Sequence, residues 1–221
     1  MTDFVNGIDA IRLGLRLKRL ASNLLLIGMP LSLLTFNLYG VLSIAAFIMA
    51  VDLAGRVLCL KGSVADPVSI RWSVAAQATG LVLLLVSALF GNVWIMSGLA
   101  AAIVFQIAAA RFFVTHLAGL AQAIGRPDLS GKLDELRGRL NVFAGSLYGA
   151  GFSSLLIGIA AAFVGLMSWG IGWLISVPIG GMAIVLIMLT SLAAYLRMLV
   201  TYREVIRSIE DAVNAIETQT E

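Results

Sequence analysis

Six long apolar runs, separated by short polar or glycine-containing connections, dominate the chain and cover about 20–36, 40–60, 73–90, 93–115, 142–167 and 171–196. Each approaches or exceeds the ~20 residues that a helix needs to cross a bilayer. Membrane strands would alternate outward and inward residues, whereas these runs are continuous Leu, Ala, Ile and Gly. The pattern predicts an all-α polytopic membrane protein with six transmembrane helices arranged as three hairpins. The second helix of each hairpin ends in related text, "DLAGRVLCL" at 52–60, "IAAARFFVTHL" at 107–117 and "SLAAYLRMLVTY" at 191–202, which points to an internal repeat packed about a pseudo-threefold axis.

Helical periodicity continues beyond the apolar runs. Phe4, Ile8, Ile11 and Leu15 form one stripe, and Phe113, Leu117, Leu120 and Ile124 another. A third runs from Leu129 through Leu133, Leu136, Leu140, Phe143 and Leu147, and a fourth from Tyr195 and Leu199 through Tyr202, Ile206, Ile209, Val213 and Ile216. Between the second and third, "GRPDLS" reads as a hairpin tip, with Gly125 as a helix C-cap, Pro127 as a restart, and Asp128 and Ser130 as N-cap residues. Exposed to water, these stripes would be costly, so the expectation is a membrane-proximal helical bundle. The organisation predicted is a cytoplasmic amphipathic helix over 1–19, a transmembrane domain over 20–200 with a cytoplasmic hairpin near 116–141, and a cytoplasmic C-terminal helix over 201–221. The last stripe, Tyr202, Ile206, Ile209, Val213 and Ile216, is also the candidate interaction seam, should it pair with another chain instead.

Composition agrees with the pattern: 60% of the 221 residues are hydrophobic, 12% are charged and the mean hydropathy is +1.00. A water-soluble fold is excluded on these values. The sequence pI near 9.4 does not indicate nucleic acid, because the bases flank the apolar runs and form no binding stripe. All 15 Lys and Arg residues lie in the N-terminal segment, at 56–71, at 111–139 or from 197 onward, while the connections 37–39, 91–92 and 168–170 carry no charge. The positive-inside rule then places both termini in the cytoplasm, in an integral protein expected in a bacterial cytoplasmic membrane. Trp72, Trp94, Trp169 and Trp173 fall where interfacial anchors belong. From 204 onward five acids face one base, Arg207, whereas residues 1–19 carry four bases and two acids, so the terminal helices are suited to pairing.

Asp52 is the one acid inside an apolar run, and Arg56, four residues later, shares its helical face. The expectation is an ion pair within the inner leaflet, with Arg56 snorkelling toward the headgroups. With Gln106 and Arg111 it makes up a candidate intramembrane polar site. In the fifth run Gly145 and Gly149, and Ala150, Ser154, Gly158 and Ala162, form small-residue faces, with Gly172, Ser176 and Gly180 on the sixth, and tight packing within the third hairpin is expected. Pro30 and Pro178 predict kinks. One Cys, Cys59, and one His, His116, leave no disulfide, no metal cluster and no cofactor motif, and no catalytic signature is present. The function expected is a non-enzymatic structural or accessory subunit in contact with lipid and with other membrane subunits or itself. The alternatives are a transporter or channel for a small neutral or weakly polar solute, and a sensor signalling through the C-terminal helix.

Charge segregation makes topology testable. Fluorescent reporters fused at either terminus are expected to be active on the cytoplasmic side, and a phosphatase inserted at residue 91 on the opposite side. A phosphatase active at one terminus would reverse the assignment.

Overall fold

A computed structural model describes residues 2–34, 38–62, 67–90, 92–167 and 173–220, and every regular element among them is helical. The helices are α1 (Thr2–Leu34), α2 (Leu38–Lys61), α3 (Pro67–Ser87), α4 (Asn92–Ala123), α5 (Ser130–Met167) and α6 (Trp173–Thr220), with 3-10 turns at Ala88–Phe90 and Pro127–Leu129. Among the described residues, five helical stretches are long and apolar enough to span a membrane: Tyr39–Lys61, Pro67–Phe90, Ser97–Ala123, Ser130–Met167 and Val177–Ala215. The expected first span runs past the end of α1 into residues 35–36, outside the described ones. Also outside them are the connection 168–170 with Trp169, and Gly172; the side chains of Phe4, Pro30, Trp173, Ser176 and Ile216 likewise lie outside the description. Pro178 lies inside α6, which continues as one helix to Thr220.

The chain divides into two compact units, Met1–Leu136 with Tyr202–Glu221, and Arg137–Thr201. In the first, α1 packs on α2, α2 on α3 and α3 on α4. Close approach of α1 and α2 depends on paired glycines. A Cβ on Gly14 would lie 2.7 Å from both Cys59 Sγ and the Gly55 carbonyl, and one on Gly55 would lie 2.9 Å from the Gly14 carbonyl. Further along, Gly7 meets Gly62 backbone to backbone. The free thiol of Cys59 is buried in this seam.

The hairpin tip follows from local chemistry. Gly125 adopts φ +69°, the left-handed conformation glycine enters without a Cβ penalty. Arg126 N–H donates to the Ala121 carbonyl at 2.9 Å and Gly125 N–H to that of Gln122 at 3.1 Å, the paired bonds of a Schellman cap. Arg126 then donates two 2.8 Å hydrogen bonds to Asp128, holding that carboxyl below its ordinary pKa.

The apolar stripes are buried within the first unit: Ile11 and Leu15 of α1, Phe113, Leu117 and Leu120 of α4, Leu133 and Leu136 of α5, and Ile206, Ile209 and Val213 of α6. Polar contacts flank them. Arg12 Nε donates to Asn214 Oδ1 at 2.6 Å, Arg16 and Arg19 reach Glu210 at 3.3 and 3.2 Å, and Lys132 Nζ donates to Ser208 Oγ at 3.2 Å. Thus the end of α6 is held by α1 and α5 through contacts of the chain's own.

The second unit is sparser. Phe143 and Tyr195 rings lie 5.2 Å apart, Ser191 Oγ donates to the Ser146 carbonyl at 3.4 Å, and Arg139 donates to the Arg197 carbonyl at 3.1 Å. The expectation of tight packing by the small faces of α5 is corrected here. A Cβ on Gly145, Gly149 or Gly158 would meet nothing within 4 Å, and among the glycines described in this unit only Gly180 makes a close approach, 2.9 Å from Ile157 Cγ2. The reason is rotational: Phe143, Ser146 and Ile157 set the face turned to α6, and Gly145 sits one residue, about 100°, off that face.

Glycine environment separates two outcomes. Gly14→Val forces a Cβ into backbone and is expected to cost at least the ~1–3 kcal/mol of overpacking, whereas Gly138→Ala, in open space on α5, should gain about 0.5–1 kcal/mol from helix propensity. Thermal unfolding in one detergent compares them; a neutral Gly14→Val would contradict the seam.

Candidate functional site

The centre of the first unit is a buried ion cluster. Asp52 comes from α2, one turn before Arg56, and the α1–α2 glycine seam brings Lys18 against both. Lys18 Nζ donates to Asp52 Oδ1 at 2.5 Å, while Arg56 reaches Asp52 Oδ2 through Nε at 2.9 Å and Nη2 at 2.8 Å. Arg56 Nη1 also donates to Ser73 Oγ of α3 and, at 2.5 Å, to the Ala109 carbonyl of α4, to which Ser73 Oγ donates at 2.8 Å. Phe113 of α4 offers its ring face to both cations, with Lys18 Nζ 4.2 Å and the Arg56 guanidinium carbon 5.4 Å from its centroid. Tyr202 of α6 stands 5.5 Å from Lys18 Nζ. Five helices thereby meet on three charges.

Arg56 does not snorkel. It is 1% exposed and turns sideways into the bundle, because Asp52, Ser73 and the Ala109 carbonyl together satisfy its guanidinium there. Lys18 is equally enclosed and Asp52 is 6% exposed. Two bases and one acid leave an excess positive charge in a low-dielectric interior, which the quadrupole of the Phe113 ring partly offsets.

The other two candidate residues are not drawn into this cluster. Gln106 is half-buried with its Oε1 enclosed and not hydrogen-bonded, and Arg111 is exposed on α4. Gln77 of α3, buried, donates to the Met49 carbonyl at 3.3 Å. The arginines aligned by the internal repeat are inequivalent: Arg56 is enclosed, whereas Arg111 and Arg197 are exposed. His116 is buried with its ring 6.2 Å from that of Phe113. Of the candidate interaction seam, Ile206, Ile209 and Val213 are buried within the first unit and Tyr202 is half-buried at the ion cluster.

No protein-family model, curated protein or solved structure matches this chain.

Lys18 and Ser73 were not singled out by sequence reasoning, and Phe113 and Tyr202 were placed in apolar stripes, not at this site. A signal for Lys18 did exist. Gly7 and Gly14 are seven residues apart on α1, and Gly55 and Gly62 seven apart on α2; pairing them in antiparallel register sets Lys18 opposite residue 51, beside Asp52.

The charge count predicts an asymmetry. Asp52→Asn strands two buried cations and is expected to cost about 3–5 kcal/mol, whereas Lys18→Met leaves a neutral Asp52–Arg56 pair and should cost clearly less. Thermal unfolding of the two variants and their double mutant measures both; equal losses from the single variants would refute this account of the cluster.

Proposed function

We propose that the protein is a non-enzymatic, six-span integral membrane protein that serves as a structural or accessory subunit of a membrane protein assembly, with both termini in the cytoplasm of a bacterial cell. The observation that carries this reading is the open face of the α5–α6 hairpin. The most apolar stretches of α5 and α6 have 6% of their residues buried, against 28–33% for those of α2, α3 and α4. Gly145, Gly149 and Gly158 stand in open space, so another helix has room to approach the α5 backbone closely and gain dispersion contacts. A shallow apolar groove lined by Ile157, Ala160, Ala161, Val164, Ile179, Gly180 and Ala183 adds to the same hairpin's unfilled surface.

The ion cluster weighs against the transport reading. Asp52 and Arg56, the charged pair that a solute path would have to reach, are enclosed and already engaged with protein groups. A paired, enclosed cluster fixes helix register and depth, which is what a scaffold requires.

Native mass spectrometry of the protein extracted from its own membrane in mild detergent tests the proposal. Stoichiometric co-extraction of other polypeptides is expected. It should be lost in Gly145→Leu/Gly149→Leu, a variant expected to keep wild-type thermal stability because both positions have room for a side chain. A wild-type protein that emerges alone, together with flux of a small solute sensitive to Asp52→Asn, would overturn it.

A further inference from the structure

The ion cluster of the first unit sets two bases against one acid, and its three groups differ in how readily each exchanges a proton. Arg56 is a delocalised guanidinium that keeps its charge throughout the pH range of a folded protein. Asp52 accepts hydrogen bonds from both cations, and protonating it would leave both uncompensated. Lys18 is the remaining member. Its side chain precedes the first apolar run yet has no route to water: a Cβ on Gly55 would lie 3.0 Å from Lys18 Cγ, so the α1–α2 glycine seam confines the chain that carries the ammonium. Of its three N–H groups, one is taken up by Asp52 Oδ1. The groups around Nζ are Asp52, Arg56 and the Cys59 thiol from α2 and the Tyr202 phenol from α6, while α3 reaches the cluster only through Ser73, bonded to Arg56. α4 supplies the uncharged Phe113 ring, with the His116 ring 6.2 Å from it. Arg16 and Arg19, on the same helix as Lys18, are turned to Glu210 of α6. The Phe113 quadrupole favours the ammonium, but that ring is shared with Arg56 and offsets only part of the excess charge.

We propose that Lys18 is a reversible proton-release site through which the first unit responds to pH. Loss of one proton to solvent leaves an amine, a carboxylate and a guanidinium, with no net charge among them. The amine keeps two N–H groups and still donates to Asp52. Burial, together with the Arg56 charge beside it, pushes the Lys18 ammonium down from its ordinary 10.5 to about 8, and the attraction of Asp52 offsets only part of that shift. The unfolded chain therefore holds this proton to a higher pH than the folded one. Stability contributed by Lys18 is level below about 8 and rises with pH from there toward 10.5, because in that window only the unfolded state binds the proton. Lys18 joins α1 to α2 and faces α4 and α6, so its charge bears on how those helices are held together. The inference is independent of the accessory-subunit role.

The test is direct titration of the amine. The chain has three lysines, and the other two, Lys61 and Lys132, are exposed. Full-length Lys61→Arg/Lys132→Arg protein, produced with carbon-13 at lysine Cε and purified in mild detergent, therefore carries a single label, at Lys18. Its NMR shift is followed across alkaline pH. The midpoint is expected near 8, where the neutral amine would be on the order of a hundredfold more abundant than for an ordinary lysine with a pKa of ~10.4. A midpoint as high as that of an ordinary lysine would overturn the proposal. Cys59→Ala in the same labelled protein should leave the midpoint in place; its disappearance would assign the titration to the thiol and overturn the proposal equally. Thermal unfolding gives a second readout against Lys18→Met, which has no proton to release. The wild type should gain on Lys18→Met as pH rises from about 8 toward 10, and a difference between the two that stays constant over that range would contradict the proton-release site.

Discussion

The shared carboxylate of Asp52 is the constraint on which the first unit depends. Burying a charge costs several kcal/mol unless partners replace its water, and here a single acid is asked to compensate two bases. That is achieved only if α1 approaches α2 closely enough for Lys18 to reach Asp52, and if α3 and α4 supply a hydroxyl and a carbonyl to the far side of Arg56. Removing the Cβ atoms at Gly14 and Gly55 meets the first condition. Antiparallel packing of α3 on α4, with Ser73 at Ala109, meets the second. The ammonium and guanidinium then share one aromatic face, Phe113, which also belongs to the apolar stripe of α4. Polar and apolar packing therefore converge on the same residue.

Such an arrangement specifies more than it stabilises. A buried ion network gains little over a well-packed apolar core, but it tolerates no slip in register, since a shift of one residue would leave a charge uncompensated. Around it, burial of Leu117, Leu133, Leu136, Ile206 and Ile209 supplies the non-directional part of the stability. The second unit is built on other terms. Its helices meet through a few small and aromatic side chains and leave small-residue positions uncovered. In lipid the hydrophobic effect does not drive apolar helices together, so such a hairpin can persist while keeping a face for another helix.

Much of the fold was legible in the sequence because its signals are local. Run length and the absence of alternation dictate helices, Gly125 and Pro127 dictate the hairpin tip, and the 3–4 spacing of Ile and Leu dictates which faces of the extensions are apolar. The Asp52–Arg56 pair was legible for the same reason, as two residues one helical turn apart. The remainder of the site was not, because Lys18, Ser73, the Ala109 carbonyl, Phe113 and Tyr202 reach it from four other helices. No spacing within one helix contains that information, although the matched seven-residue glycine intervals of α1 and α2 encode part of it. The outward direction expected for Arg56 failed on this point: snorkelling is favourable only when the interior offers a guanidinium no partners.

By itself, then, the sequence determined the class of the protein, since apolar runs of this length have backbone groups that only a helix can satisfy in lipid. It also determined the charge segregation along the chain and the amphipathic faces of its extensions. Only the tertiary structure decided which faces meet. Helix-to-helix rotation depends on side-chain volume at positions distant in sequence, so the glycines of α1 and α2 became a close seam while Gly145, Gly149 and Gly158 of α5, equally small, were left open.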